Sequence, residues 1–201
     1  MKYFLLIACC IVLFSNCFNT APDKNTTEET PSRDYIAQGQ KIAMATFTTL
    51  SSNLQKAMKA GGVPNAVKYC NIAASPLVDS LEQLYQVSIK RTSLKVRNPN
   101  NQPTEQERQQ LQSYQEQFGA GKELKPVIHK IANQTAFYAP IHVMPLCQKC
   151  HGKVGEQLME KDYELIRELY PSDRAINYKS GDLRGMWRIT FRGDSNVMLR
   201  N

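Results

Sequence analysis

Histidine is scarce in this 201-residue chain, with three copies, and its six cysteines include no second Cys-x-x-Cys pair beyond Cys147 and Cys150. A structural zinc site takes four ligands at finger-like spacing. Only Cys70, His129 and His142 are left to complete one, which argues against zinc. Runs of five or six like charges are also missing: 25 basic and 18 acidic residues are spread along the chain. That pattern describes a solvated surface better than a nucleic-acid tract. There is no internal repeat and no low-complexity tract. No kinase, cyclase or transmembrane pattern follows the last strand, and no catalytic constellation can be assembled, so an enzyme is not expected.

The most informative stretch that is present is Cys147-Gln148-Lys149-Cys150-His151. Two thiols three positions apart can add to the two vinyl groups on one edge of a porphyrin, and the next histidine then stands where its imidazole can ligate the iron. A redox disulfide usually opens a helix after a strand and has no need of the adjacent histidine. The motif therefore predicts a covalently attached haem c, with Cys147, Cys150 and His151 as its holders. Two alternatives stand beside it. One is a non-haem structural or ligand-binding lipoprotein with a Cys147–Cys150 disulfide. The other is a peroxidase-like haem enzyme, which would need an open sixth position and distal acid–base groups.

Haem of this type is attached outside the cytoplasm, so export is part of the prediction. Lys2 followed by the apolar run Tyr3 to Phe14 reads as a secretory signal over residues 1–16, too short for a span of ~20 residues. Phe14-Ser15-Asn16-Cys17 resembles a lipobox whose cysteine is acylated, with Phe14 in place of the usual aliphatic residue and Asn16 in place of a small one. Ordinary signal cleavage, or retention of the segment as a weak anchor, is the alternative. Residues 17–33, poor in apolar side chains, read as a solvated tether. Residues 34–201 then make one domain with enough chain to bury a core. The expected location is extracytoplasmic, periplasmic and membrane-anchored through lipid on Cys17. Cysteine accounting leaves Cys70, which either packs as a small hydrophobe or binds the iron.

Hydrophobic periodicity predicts a helix from Asp34 to Ala60 that Gly61-Gly62 stops. A second helix follows, carrying Val67, Cys70, Ala74, Leu77, Leu81 and Leu84 on one face, and Ser75-Pro76 breaks and restarts it. Gln86 to Arg97 reads as a strand. Thr104 and Glu107 form a capping-box pattern for a helix towards Phe118. Val127–Ile131 and Ala136–Val143 read as a hairpin turning at Asn133-Gln134, and Glu156 to Leu169 as a helix. In the last strand Leu183, Trp187, Ile189 and Phe191 alternate with Arg184, Arg188 and Arg192, which predicts one packed and one wet face. The fold class is α+β with an antiparallel sheet.

Several stretches together resemble a known family. They are Pro64-Asn65-Ala66-Val67-Lys68-Tyr69-Cys70, the run from Ile89 to Pro103, Cys147 to Gly152, Tyr170-Pro171-Ser172-Asp173-Arg174-Ala175, and Tyr178 to Gly185. In this order they are similar to the Tll-type haem-binding domain, formerly classed as a domain of unknown function. It is found alone in exported c-type cytochromes and fused to bacterial signalling proteins. The resemblance implies a PAS-like fold, a central antiparallel sheet with helices around it and haem c in the pocket. It also implies that Cys70 is the second axial ligand, opposite His151. His129 and Met186 rank well behind Cys70, and His142, Met144 and Met159 are further competitors. Arg91, Lys95 and Arg97 share one face of the expected strand, and Arg91 is the candidate partner for a haem propionate. The expected function is that of a monohaem cytochrome with His/Cys ligation, acting in electron transfer or redox sensing. A redox or signalling protein is its partner and a lipid anchor its link to the membrane, with no nucleic acid involved.

Overall fold

A computed structural model describes residues 30–192, with side chains from residue 34 onward. The expected signal peptide, Cys17 and all but the last four residues of the tether lie outside that range. Helix α1 (Thr30–Tyr85) begins within those four and runs for 56 residues, with a break at Gly61 and Gly62. Gly62 (φ 65°, ψ −158°) occupies a backbone region that only a residue without a Cβ takes freely. The two glycines thus divide α1 into arms over residues 30–60 and 63–85. Pro76 does not divide it again, contrary to the sequence expectation. Its ring removes one i→i−4 bond, yet the helix continues through it, and Ser80 Oγ donates to the Pro76 carbonyl at 2.9 Å. Packing explains the difference. Val63 and Val67 hold one end of the second arm, while Leu77, Val78 and Leu81 hold the other. Tertiary contacts of this kind outweigh a local break.

Strand β1 (Val87–Thr92) follows, ending five residues before the expected limit. Helix α2 (Glu105–Gly119) opens on the capping box: Glu107 N donates to Thr104 Oγ1 at 3.3 Å and Thr104 N to Glu107 Oε2 at 2.7 Å. Strands β2 (Val127–Ile131) and β3 (Gln134–His142) form a hairpin in which Ile131 faces Gln134. The turn is therefore Ala132-Asn133, one residue earlier than expected, with Ala132 at φ 51°. The short helix α3 (Gln148–His151) and helix α4 (Glu160–Leu169) precede strand β4 (Leu183–Phe191).

The four strands pair antiparallel in the order β1-β4-β3-β2. On one face Ile89, Phe137, Trp187, Ile189 and Phe191 pack against Ile42, Ala43 and Leu50 of α1. On the other, Ala136, Tyr138 and Met186 pack against Leu111 and Tyr114 of α2. Burying side chains of this size contributes roughly 1.5–3 kcal/mol each. The sheet thus has no wet face in its middle, a correction to the reading of the last strand. Glu107 of α2 accepts from Arg188 Nη1 at 3.3 Å, and Arg184 is half-buried. Leu183 also leaves its expected side. A bulge opposite Ile141 and His142 shifts the register, and Leu183 joins the α2 cluster. The architecture is α+β and PAS-like, an antiparallel sheet flanked by helices with a long N-terminal one.

A third cluster lies beyond the sheet. Val63 and Val67 of α1 pack there with Leu158, Ile166 and Tyr170, and Cys150 lies against them.

Candidate functional site

The second arm of α1 passes from the third cluster to the sheet cluster, and Cys70 sits at the crossing point. Val67, one turn before it, belongs to the former, and Ala74, one turn after, packs against the latter. Cys70 itself is half-buried. Burial pushes its thiol pKa up, while the nearby charges of Arg91 and Arg97 pull it down. Arg91 reaches the same place from the end of β1. It is solvent-exposed by surface area, yet protein surrounds it closely enough for burial to lower its pKa, with Cys70 and Tyr170 opposing. Its guanidinium lies 5.9 Å from the Trp187 ring centre, and among the described residues it has no carboxylate partner.

The Cys147–His151 motif lies near the same place, where Arg97 and Cys70 both act on the Cys150 thiol. Pro145 opens a single 3₁₀ turn ending at Cys147, and α3 carries Cys150 and His151. Cys147, Cys150 and Cys70 are all free thiols. Cys147 Sγ accepts from Met144 N at 3.3 Å. Burial raises the Cys150 thiol to about 11, with Arg97 opposing and Cys70 adding to the rise. The His151 ring is half-buried, and its Nδ1 lies 2.7 Å from the Ala175 carbonyl. A carbonyl only accepts, so Nδ1 carries the proton and Nε2 keeps its lone pair. Burial, then Arg184 and Arg97, hold this imidazole well below its usual pKa, against the Ala175 bond. The ring is therefore a neutral nitrogen donor, the form a metal requires.

The loop between α4 and β4 holds the motif in place. Tyr178 N donates to the His151 carbonyl at 2.9 Å and Asn177 N to the Gly152 carbonyl at 3.0 Å. Arg97 Nη2 bonds the Cys150 carbonyl at 2.6 Å and Asp173 Oδ2 at 3.0 Å. Lys95 Nζ bonds the Ile176 carbonyl at 2.6 Å. Lys95 and Arg184 both lie over the Tyr178 ring, at 4.4 and 5.2 Å, and that ring stands edge-on to His151. Lys95 and Arg97 lie past the end of β1, so they do not share a strand face with Arg91. Sequence reasoning assigned no role to Asp173, Ala175, Tyr178 or Arg184. The signal was there, since all four fall in two of the distinctive stretches, but neither periodicity nor spacing says what such residues touch.

The other candidate ligands stand elsewhere. Met186 is fully buried in the α2 cluster. His129 pairs with Ala136 and stacks edge-on against Tyr138 at 5.2 Å, also on the α2 side. His142 is exposed and bonds the Gly181 carbonyl at 3.0 Å. Met144 and Met159 are 41% and 55% exposed. Among the described residues no three of His, Cys, Asp or Glu converge as a metal cluster. An open groove of about 520 Å³ lies between the α1 arms, lined by Lys56, Lys68, Tyr69 and Ile72, and it holds none of the thiols or imidazoles. The candidate site is the neighbourhood of the motif, which offers two thiols, one imidazole nitrogen, a third thiol and the cations Arg91 and Arg97.

Residues 24–192 match the family model described as Tll0287-like. Among solved structures the chain resembles one titled the crystal structure of the cyanobacterial heme-protein Tll0287. The TM-score is 0.52 at 21% identity, covering 77% of this chain and 98% of that one. At this identity the likeness concerns the fold. No curated protein matches the chain.

Proposed function

The chain belongs to the Tll0287-like family, and from that premise we propose that it is an extracytoplasmic, lipid-anchored haem c protein with a one-electron redox role. One observation carries the reading: Cys147 and Cys150 are free thiols at the end of a 3₁₀ turn and in the short helix that follows it, and the adjacent His151 commits Nδ1 to Ala175 and keeps Nε2 available. That is the donor set of a thioether-linked haem with a proximal histidine. The description of a family relative as a heme-protein supports it.

The surroundings fit the group. Cys147 and Cys150 would hold it covalently, His151 would be one axial ligand and Cys70 the other. Among the described residues Arg91 has no carboxylate, and the Nε of Arg97 is buried without an acceptor. Both suit the propionates that a haem brings, with Arg91 the one we assign. Cys70 must be a thiolate to ligate, and Arg91 and Arg97 favour that form against the cost of burial. The seating of Met186 and His129 on the α2 side supports Cys70 over either. Bound haem supplies a one-electron couple at iron, and a thiolate ligand favours its oxidised state.

The test is expression with haem-maturation machinery followed by a denaturing gel stained for haem. A stained band is expected, and Cys147→Ser with Cys150→Ser should abolish it. A colourless wild-type band ends the reading in favour of a non-haem lipoprotein. Exposure of the reduced protein to carbon monoxide or nitric oxide then separates the two redox roles: rapid binding identifies a sensor, inertness an electron carrier. Cys17→Ser should release the protein from the membrane fraction if the anchor is lipid on that cysteine.

A further inference from the structure

Arg97 and Asp173 meet at the backbone of the candidate haem site. Arg97 Nη2 donates to the Cys150 carbonyl at 2.6 Å, to Asp173 Oδ2 at 3.0 Å and to the Ala175 carbonyl at 3.3 Å. The same Ala175 carbonyl accepts the His151 Nδ1 proton at 2.7 Å. Asp173 Oδ1 in turn accepts from Ala175 N at 2.8 Å. The pair is withdrawn from solvent, with side chains 13% and 0% exposed. A cation therefore shares one acceptor with the imidazole, while an anion is bonded both to that cation and to the backbone N–H of the residue that supplies the acceptor.

We propose that Arg97 and Asp173 are a positioning pair for His151, acting through the Ala175 carbonyl to set how strongly the imidazole donates to a bound haem iron. This rests on the haem reading above. Neither residue touches the metal. A histidine whose Nδ1–H is held by a strong acceptor is a stronger donor at Nε2. Arg97 draws on the same carbonyl lone pairs and weakens that hold. Its guanidinium stays charged, and positive charge in a partly buried site disfavours the oxidised iron. Asp173 offsets both effects. The two residues therefore act with opposite sign.

The experiment is a redox titration of the haem-loaded full chain, compared across variants after haem staining has established attachment. Arg97→Gln should lower the midpoint potential, Asp173→Asn should raise it, and the double variant should return towards wild type. Loss of packing alone would move both single variants in the same direction. Shifts of like sign, or no shift in either, overturn the inference while leaving haem binding intact. A wild-type chain without stained haem overturns the underlying reading instead. Should Arg97→Gln not accumulate, Arg97→Lys keeps the charge in place. Its potential should then lie near wild type with that of Asp173→Asn above both, and a value for Asp173→Asn at or below wild type overturns the inference.

Discussion

A thiol halfway along a helix can be packed away or put to use, and the surroundings of Cys70 favour use. It belongs to neither of the hydrophobic clusters that flank it, and two cations, Arg91 and Arg97, act on it. Replacing it by alanine should cost little stability, because the site is half-buried and alanine is an excellent helix former. The expected result for Cys70→Ala is a haem that stays attached while its absorption and EPR spectra change from low-spin to high-spin or mixed-spin. Unchanged spectra would assign Cys70 to packing alone. Arg91 invites a parallel measurement. Loss of a propionate partner should alter the pH dependence of the midpoint potential in Arg91→Ala, and an identical curve removes it from that role.

At the scale of the element, Glu107 shows how one residue can serve two ends. It completes the α2 capping box and is also the buried anion that Lys90 (2.8 Å) and Arg188 (3.3 Å) share from β1 and β4. Burial alone would raise its pKa, but the Lys90 and Thr104 hydrogen bonds and the two cations hold it below the usual carboxylate value. A depressed native pKa means that the unfolded chain binds the proton more readily. The stabilisation is thus present above the unfolded pKa of ~4.3 and is lost as pH falls through the lower native one. Glu107→Gln should cost about 1–3 kcal/mol at neutral pH, by stranding two partly buried cations. It should also flatten the acid limb of a plot of Tm against pH. Gly39 marks the other face of the sheet. A Cβ there would overlap the Phe137 ring, so Gly39→Ala should lower stability by about 1–3 kcal/mol through overpacking, seen as an earlier midpoint in urea.

These elements also show which signals a linear reading carries. Thr104-x-x-Glu107 was legible because a capping box is local, its partners lying three residues apart. Gly61-Gly62 was legible because glycine acts on its own backbone. Pro76 was misread because the packing that carries the helix through it comes from residues distant in sequence. The wet face of β4 was misread because alternation reports two faces and cannot reveal that α2 covers the second. The pairing of Cys70 with the Cys147–His151 motif came from the resemblance and not from periodicity, which placed Cys70 inward without saying what it faced; in the structure its charge acts on Cys150.

Across the whole molecule, the candidate ligands come from elements far apart in the chain, Cys70 from α1 and His151 from α3. A group bound to both should fasten the second arm of α1 to the motif. An axial bond made only in the folded state stabilises that state, so the haem-loaded protein should melt above the haem-free form. The difference should shrink in Cys70→Ala, where that fastening is lost, and an equal difference in both proteins would place Cys70 outside the ligation. By itself, the order of residues determined whatever depends on near neighbours: the thiol–thiol–imidazole spacing, the capping box, the glycine break and the strand-forming segments. Only the tertiary structure decided that helices cover both sheet faces, that Arg97 and Asp173 close on the carbonyl that holds His151, and that Cys70 stands in a gap between two cores. The reason is physical: hydrogen bonds and charges act over a few ångströms of space, and hydrogen-bonded partners such as Arg97 and Asp173 are 76 residues apart along the chain.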